Sequence, residues 1–210
     1  MKSFICRGMD GFIDGYRRFR AQEWPERRQR FEALAADGQR PRALVIACID
    51  SRVDPAMIFD AGPGEILTLR NVANLVPPYA PDGRTHGTSA AVEFAVRVLE
   101  VPRLIVLGHG MCGGVRVLLD GASPEAGDFV ASWMSIADSA RVRALRCEGV
   151  AAQQACCEQE VVKVSIANLL GFPWVAERVA DGRLVVDGAW FAIHSGALDW
   201  LGADGMFSPA

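Results

Sequence analysis

RALVIACIDSR, residues 42–52, begins with an unbroken apolar run at 43–47 and ends in a polar loop. A run that is apolar at every position, not at alternate ones, suits a strand covered on both faces. RLIVLGHGMCGG, residues 103–114, repeats the plan, with an apolar run at 104–107 followed by a glycine-rich loop. A third run lies at 66–69, and between the runs the segment 88–99 sets Ala91, Phe94, Ala95 and Val98 at helical spacing. Strands alternating with helices predict an α/β fold on a mainly parallel sheet of about four strands.

Outward from this core, residues 10–37 are rich in arginine and aromatics, and Pro25 divides them into two expected helices that project as an N-terminal arm. Helical stretches are expected after Gly127 to about Cys147, then over 149–170, with a shorter helix opening at Pro173. Three short strands are expected at 184–186, 190–194 and 197–201, separated by Asp187-Gly188 and Ser195-Gly196 turns. They would supply an antiparallel edge. No repeat or linker interrupts the chain, so one domain is expected over 1–210, comprising the arm at 10–37, a metal-binding core at 42–120 and helices and strands at 126–210.

Composition narrows the function. The chain has 210 residues, 50% hydrophobic and 22% charged, with 22 basic against 25 acidic residues and a net charge of −3. That balance gives no general attraction for phosphate backbones, so nucleic acid is not an expected partner. No apolar run approaches the roughly 20 residues needed to span a bilayer. The N-terminal residues lack the apolar core of a secretory signal, so a cytoplasmic protein with no membrane partner is expected. In a reducing compartment the six cysteines point to metal binding or catalysis more than to disulfides.

Ligands gather at the carboxyl ends of strands in open α/β sheets. The two loops named above occupy such ends, and parallel neighbouring strands would bring Cys48, His109 and Cys112 together. Two thiolates and one imidazole form a three-ligand zinc set with one coordination position left open, as catalytic zinc requires. The sulfur-rich set favours zinc over magnesium or calcium. Cys48 and Cys112 can also be read as buried small residues. Asp50 and Arg52, two and four positions after Cys48, favour the metal reading, because a carboxylate can contact the metal or its water while a guanidinium holds that carboxylate.

Two competing readings fit less well. Gly108-x-Gly110-x-x-Gly113 matches the dinucleotide-binding fingerprint, but no strand ending in an acid follows about 20 residues on. A Cys112 nucleophile with His109 as base would leave Cys48, Asp50 and Arg52 without a role.

The pair CIDSR (48–52) and HGMCGG (109–114) resembles the β-class carbonic anhydrases, whose loops read Cys-x-Asp-x-Arg and His-x-x-Cys-Gly-Gly. PGEILTLRNVANLVPPY (63–79), GTSAAVEFAVRVLEV (87–101) and residues 158–200 extend the resemblance over nearly the whole chain. It implies reversible hydration of carbon dioxide to bicarbonate and a proton, with one zinc per chain held by Cys48, His109 and Cys112. The metal would lower the pKa of bound water toward about 7 and so furnish hydroxide at neutral pH. Asp50 would orient that nucleophile, with Arg52 fixing Asp50. Gln39 matches the substrate-binding glutamine of the plant-like branch, and Leu67, Val72 and Phe94 align with apolar pocket positions. Members assemble as homodimers or larger, which gives the residue 10–37 arm a neighbour to grip.

The sequence departs from the family at two places near the site. Ile49 stands where serine is usual, and Val45 stands where some bacterial members carry a tryptophan that stabilises a bicarbonate-closed state. An open site without bicarbonate regulation is therefore expected. His86 and His194 are candidate proton shuttles on titration range alone. Cys6, Cys147, Cys156 and Cys157 lack ligand spacing and are expected as free thiols. On the same scaffold, hydrolysis of carbon disulfide or carbonyl sulfide, or zinc binding without catalysis, are the alternative functions.

Overall fold

A computed structural model describes residues 10–210, which fall into two compact units, one ending at Gln39 and one spanning Arg40–Ala210. The first unit is helical: α1 (Asp10–Arg18) passes through a π-helical turn at Phe19–Glu23 into α2 (Trp24–Asp37). Pro25 does not itself make the break. It sits in the first turn of α2, where its missing N–H costs nothing, and the wider π turn precedes it. Phe31 stacks on Trp24 at 5.2 Å and the Arg20 guanidinium lies over the Trp24 ring at 4.8 Å.

The second unit is built on a six-stranded sheet. In chain order it comprises β1 (Ala43–Cys48), α3 (Pro55–Ile58), β2 (Ile66–Asn71), α4 (Gly87–Glu93), β3 (Arg103–His109) and α5 (Gly113–Asp120). The short helices α6 (Val130–Met134) and α7 (Asp138–Ala144) precede the long α8 (Val150–Leu170). Then come α9 (Pro173–Ala180), β4 (Val185–Ala192), β5 (Ala197–Leu201) and β6 (Phe207–Pro209). The strand order is β2-β1-β3-β4-β5-β6, with the first four parallel and the last two antiparallel. The sheet is mainly parallel as expected, but two of the expected edge strands, 184–186 and 190–194, are one strand, β4, which lies parallel to β3, and the antiparallel edge is β5 with the additional three-residue β6.

β1 is buried at all six positions because each face carries its own apolar cluster. Leu44 and Ile46 pack with Leu104, Val106, Val162 and Leu169 on one face. Ala43, Val45 and Ala47 pack with Ile105, Leu107 and Ala189 on the other. The connection to β2 leaves β1 on one side and β3 lies on the other, so the gap between β1 and β3 is a topological switch point.

Three expectations need correction. Asp187-Gly188 is not a turn, because β4 runs straight through it. Gly188 and Gly108 are instead the places where α8 lies on the sheet: a Cβ at either would come within 2.9 Å or less of a Val162 methyl. Along α4 and the π-helical turn that follows it at Phe94–Val98 the buried residues are Val92, Ala95 and Val96, and Phe94 and Val98 are exposed. Finally, Cys147 and Cys156 are not free thiols but a disulfide, with Cα atoms 6.9 Å apart. Gly149, at φ 88°, turns the chain so that the second turn of α8 faces back toward Cys147. Neighbouring Cys157 points into the core as a free thiol, and burial pushes its pKa up to about 11. Cys6 lies outside the described residues. No described helix is long and apolar enough to cross a membrane.

Candidate metal centre

The parallel register sets Ala47 of β1 opposite Leu107 of β3, so Cys48 and His109 emerge side by side where the two strands end. The chain then turns at Gly110-Met111, with Met111 in the left-handed region at φ 59°, and returns Cys112 to the same point at the start of α5. Candidate ligand atoms of Cys48, His109 and Cys112 lie within 4.8 Å of one another, and all three residues are buried. The two sulfurs are 3.9 Å apart.

The histidine is set up as an acceptor. His109 Nδ1 lies 2.9 Å from the Gly110 carbonyl oxygen, which can only accept, so Nδ1 carries the hydrogen. That leaves a lone pair on Nε2, which is buried and has no hydrogen-bond partner. A buried acceptor without a partner costs stability unless something fills it, and a metal ion at the thiol pair would do so. The Cys112 hydrogen bond holds the Cys48 thiol well below its ordinary range, and proximity to Cys48 pushes Cys112 up. Burial is the largest influence on His109 and opposes its charge, but proximity to Cys48, the Gly110 carbonyl and the Asp50 charge together outweigh it and the net shift is upward. The local field thus favours positive charge between these three side chains. Three soft-to-borderline donors with a fourth position open fit zinc.

Asp50 stands two residues after Cys48 and is gripped by Arg52: Nε donates to Oδ1 at 2.9 Å and Nη2 to Oδ2 at 2.8 Å. The Arg52 backbone N–H donates to the same Oδ1 at 3.0 Å. These bonds hold the Asp50 carboxyl well below the usual carboxylate range. Arg52 Nη2 also donates to the Met111 carbonyl at 3.2 Å, which ties the loop after β1 to the loop after β3.

Three supporting residues escaped the sequence reading. Arg70 on β2 donates through Nε to the Cys48 carbonyl at 2.9 Å, through Nη2 to the Asp50 carbonyl at 2.6 Å, and through Nη1 to Asp54 at 3.1 Å. From α8, Glu158 accepts the Cys112 N–H at 3.0 Å and Gln154 donates to the Cys112 carbonyl at 3.1 Å. Burial raises the Glu158 pKa. Arg70 and Glu158 fall within the stretches of family resemblance at 63–79 and 158–200, and Gln154 falls within none.

The other sequence-derived residues divide. Val72 packs with Cys48 and Cys112 and lines a cavity of about 670 Å³ with Ile49, Phe129, Trp133 and Ile136. Leu67 packs instead with the sheet cluster around Leu44 and Leu104, and Phe94 is 51% exposed outside that cavity's lining. Gln39 is the last residue of the N-terminal unit and is exposed. His86 lines the same cavity and pairs with Asp82 at 2.7 Å, whereas His194 lines a separate one of about 540 Å³.

The sequence model of the carbonic anhydrase family matches residues 43–198. Beta carbonic anhydrase 3 of Arabidopsis thaliana is 36% identical over 203 residues, covering 93% of this chain and 78% of the relative. The carbonic anhydrase of Pseudomonas aeruginosa is 39% identical over 195 residues, covering 92% of this chain and 87% of the relative. This chain belongs to the β-carbonic anhydrase family. Among solved β-carbonic anhydrases, CcaA is similar with a TM-score of 0.88 at 30% identity, covering 96% of this chain and 92% of that one. A tetrameric β-carbonic anhydrase of Sordaria macrospora gives 0.80 at 27% identity, covering 91% and 95%. The site geometry therefore sits on a β-carbonic anhydrase scaffold along nearly its whole length.

Proposed function

We propose that this chain catalyses the zinc-dependent, reversible hydration of carbon dioxide to bicarbonate and a proton. The observation that carries the reading is the convergence of two buried thiols on the unpartnered, lone-pair-bearing Nε2 of His109. Zinc held by Cys48, His109 and Cys112 supplies Lewis acidity, lowering the pKa of water toward about 7.

The protein's own groups do the positioning. Asp50, kept ionised and held in plane by Arg52, can only accept a hydrogen bond, so it orients the attacking water and aims its lone pair at substrate carbon. Arg70 and the Arg52–Met111 bond hold the two loops in register. Val72 offers a nonpolar gas an apolar wall beside the ligands. Gln39 is carried as a proposed donor to a substrate oxygen on the family resemblance alone, whereas Leu67, packed with the sheet cluster, and Phe94, exposed outside the cavity lining, have no geometry in support of a substrate contact.

The reading extends to a homodimer or larger assembly. It is supported by the tetrameric relative and by Phe12 and Tyr16, which lie 82% and 61% exposed on α1. It extends also to a cytoplasmic setting, in which the closely spaced Cys48 and Cys112 would stay thiols until metal is loaded, although the Cys147–Cys156 disulfide is a feature of oxidising compartments.

Stopped-flow hydration by zinc-loaded protein tests the proposal. Asp50→Ala should keep zinc at the wild-type ratio while the rate falls by about 100-fold or more. Full rate in that variant would remove Asp50 from the mechanism. Hydrolysis of carbonyl sulfide or carbon disulfide without hydration would reassign the substrate, and zinc binding with neither activity would leave a binding protein.

A further inference from the structure

Glu158 is a carboxylate only 2% exposed, on a helix that contributes none of the three ligands. Its Oε1 accepts two hydrogen bonds, from the Cys112 backbone N–H at 3.0 Å and from Gln154 Nε2 at 2.7 Å. Gln154 Nε2 also donates to the Cys112 carbonyl at 3.1 Å. Both polar groups of residue 112 are therefore grasped from one turn of α8, 42 and 46 residues downstream. α8 can come this close because Gly108 leaves room for Val162.

The clamp acts where the local backbone is least self-supporting. Met111, immediately before Cys112, is a non-glycine residue at φ 59°. A conformation of that kind persists only when its surroundings over-determine it. As the first residue before α5, Cys112 has an N–H with no helical partner of its own. Without Glu158 that buried donor would be orphaned, and rotation of the 111–112 peptide would swing the Cys112 sulfur away from Cys48 and His109.

We propose that Glu158, seconded by Gln154, is a positioning residue that fixes the Cys112 peptide and thereby holds the Cys112 sulfur on the metal. This inference rests on the zinc-site reading above. Glu158 touches neither substrate nor the reacting atoms. Its contribution is the lifetime of the third protein–metal bond, which in metal sites of this kind depends on the partners that orient each ligand.

The test is zinc release into excess chelator, measured on protein purified with its metal and normalised to the folded fraction. Glu158→Ala should release zinc about tenfold faster or more. Glu158→Gln keeps an acceptor oxygen for the Cys112 N–H and should return release to within about threefold of wild type. Leu169→Ala serves as control: it is buried at the far end of the same helix, so it should lower the melting temperature without altering release. If Glu158→Ala does not fold, Gln154→Ala, which removes the bond to the Cys112 carbonyl, should still speed release about threefold.

Unchanged release from folded Glu158→Ala or Gln154→Ala would overturn the proposal, as would equal acceleration in Leu169→Ala or failure of Glu158→Gln to restore retention. Wild-type protein that holds no zinc would instead overturn the metal reading itself, so the two failures are distinguishable.

Discussion

Arg70 offers the sharpest test of how the first catalytic loop is held. Its side chain is 27% exposed, and its guanidinium bridges the Cys48 and Asp50 carbonyls while pairing with Asp54. Replacing it with leucine keeps much of the aliphatic volume and removes every one of those bonds. The two bonds from this charged but part-exposed donor contribute roughly 1.5 kcal/mol each, the low end for such bonds, and the half-exposed Asp54 pair adds about 0.5, so the loss is about 3 to 4 kcal/mol. For a chain of this length that corresponds to a fall of about 10 °C in Tm. Arg70→Lys retains one point of charge, which reaches one carbonyl at a time, and should recover roughly half of the loss. Calorimetry on the three proteins, with zinc content and hydration rate measured in parallel, provides the readout. Hydration should fall further than zinc content, because Asp50 is displaced while Cys48 remains a ligand. A leucine variant that melts within about 2 °C of wild type would refute the assignment of Arg70 as the loop's anchor.

Gly114→Ala should destabilise by about 1 to 3 kcal/mol, since its Cβ would lie 2.7 Å from a Val72 methyl and 3.1 Å from Ala73 Cβ; Gly113→Ala meets open space and should change Tm little in the same scan. Peptide mapping without reductant should recover Cys147 joined to Cys156, with Cys157 alkylated only after unfolding; an alkylated Cys147 would remove the disulfide. Burial raises the Glu160 pKa, but its bonds to Lys163 and Arg143 outweigh this and the net shift is downward. A folded value below the unfolded one, about 4.3, means that its stabilisation is full above that pH and fades as pH falls through the folded value. The Tm gap between wild type and Glu160→Gln should therefore be constant near neutrality and close on acidification below about pH 4; a gap that widens in acid would reverse the sign of the shift.

What the sequence discloses and what it withholds follow from the range of the interactions involved. Runs such as 43–47 and 104–107 identify buried strands because burial on both faces leaves a continuous apolar record along the chain. The same logic yields the ligands: Cys48 and His109 are legible because each follows such a strand directly. Gly188 misleads for a related reason. An Asp-Gly pair is a local turn signal, but here the glycine answers to Val162 and Ile166 of α8, a neighbour that no local reading contains. Phe94 fails similarly, because the π-helical turn at Phe94–Val98 alters which side chains face inward and leaves no mark in a 3.6-residue pattern.

The supporting residues of the site are the hardest to read. Arg70, Gln154 and Glu158 act on backbone groups, not on side chains, so nothing in the residue types of their partners announces the contact. Yet the two ligand loops depend on them unequally. The Cys48 loop has a local frame of its own, in which Asp50 accepts from the Arg52 backbone and side chain and Asp54 caps α3 through the Ala56 N–H. Among the described residues the Cys112 loop has within its own segment only the His109–Gly110 bond and takes one more from Arg52 to the Met111 carbonyl, so the N–H of Cys112 depends on α8. Damage to α8 should thus reach the metal through Cys112 before it reaches Asp50. Variants at Glu158 and at Arg70 should consequently separate metal retention from orientation of the nucleophile, although both residues lie outside the two motifs that announce the site.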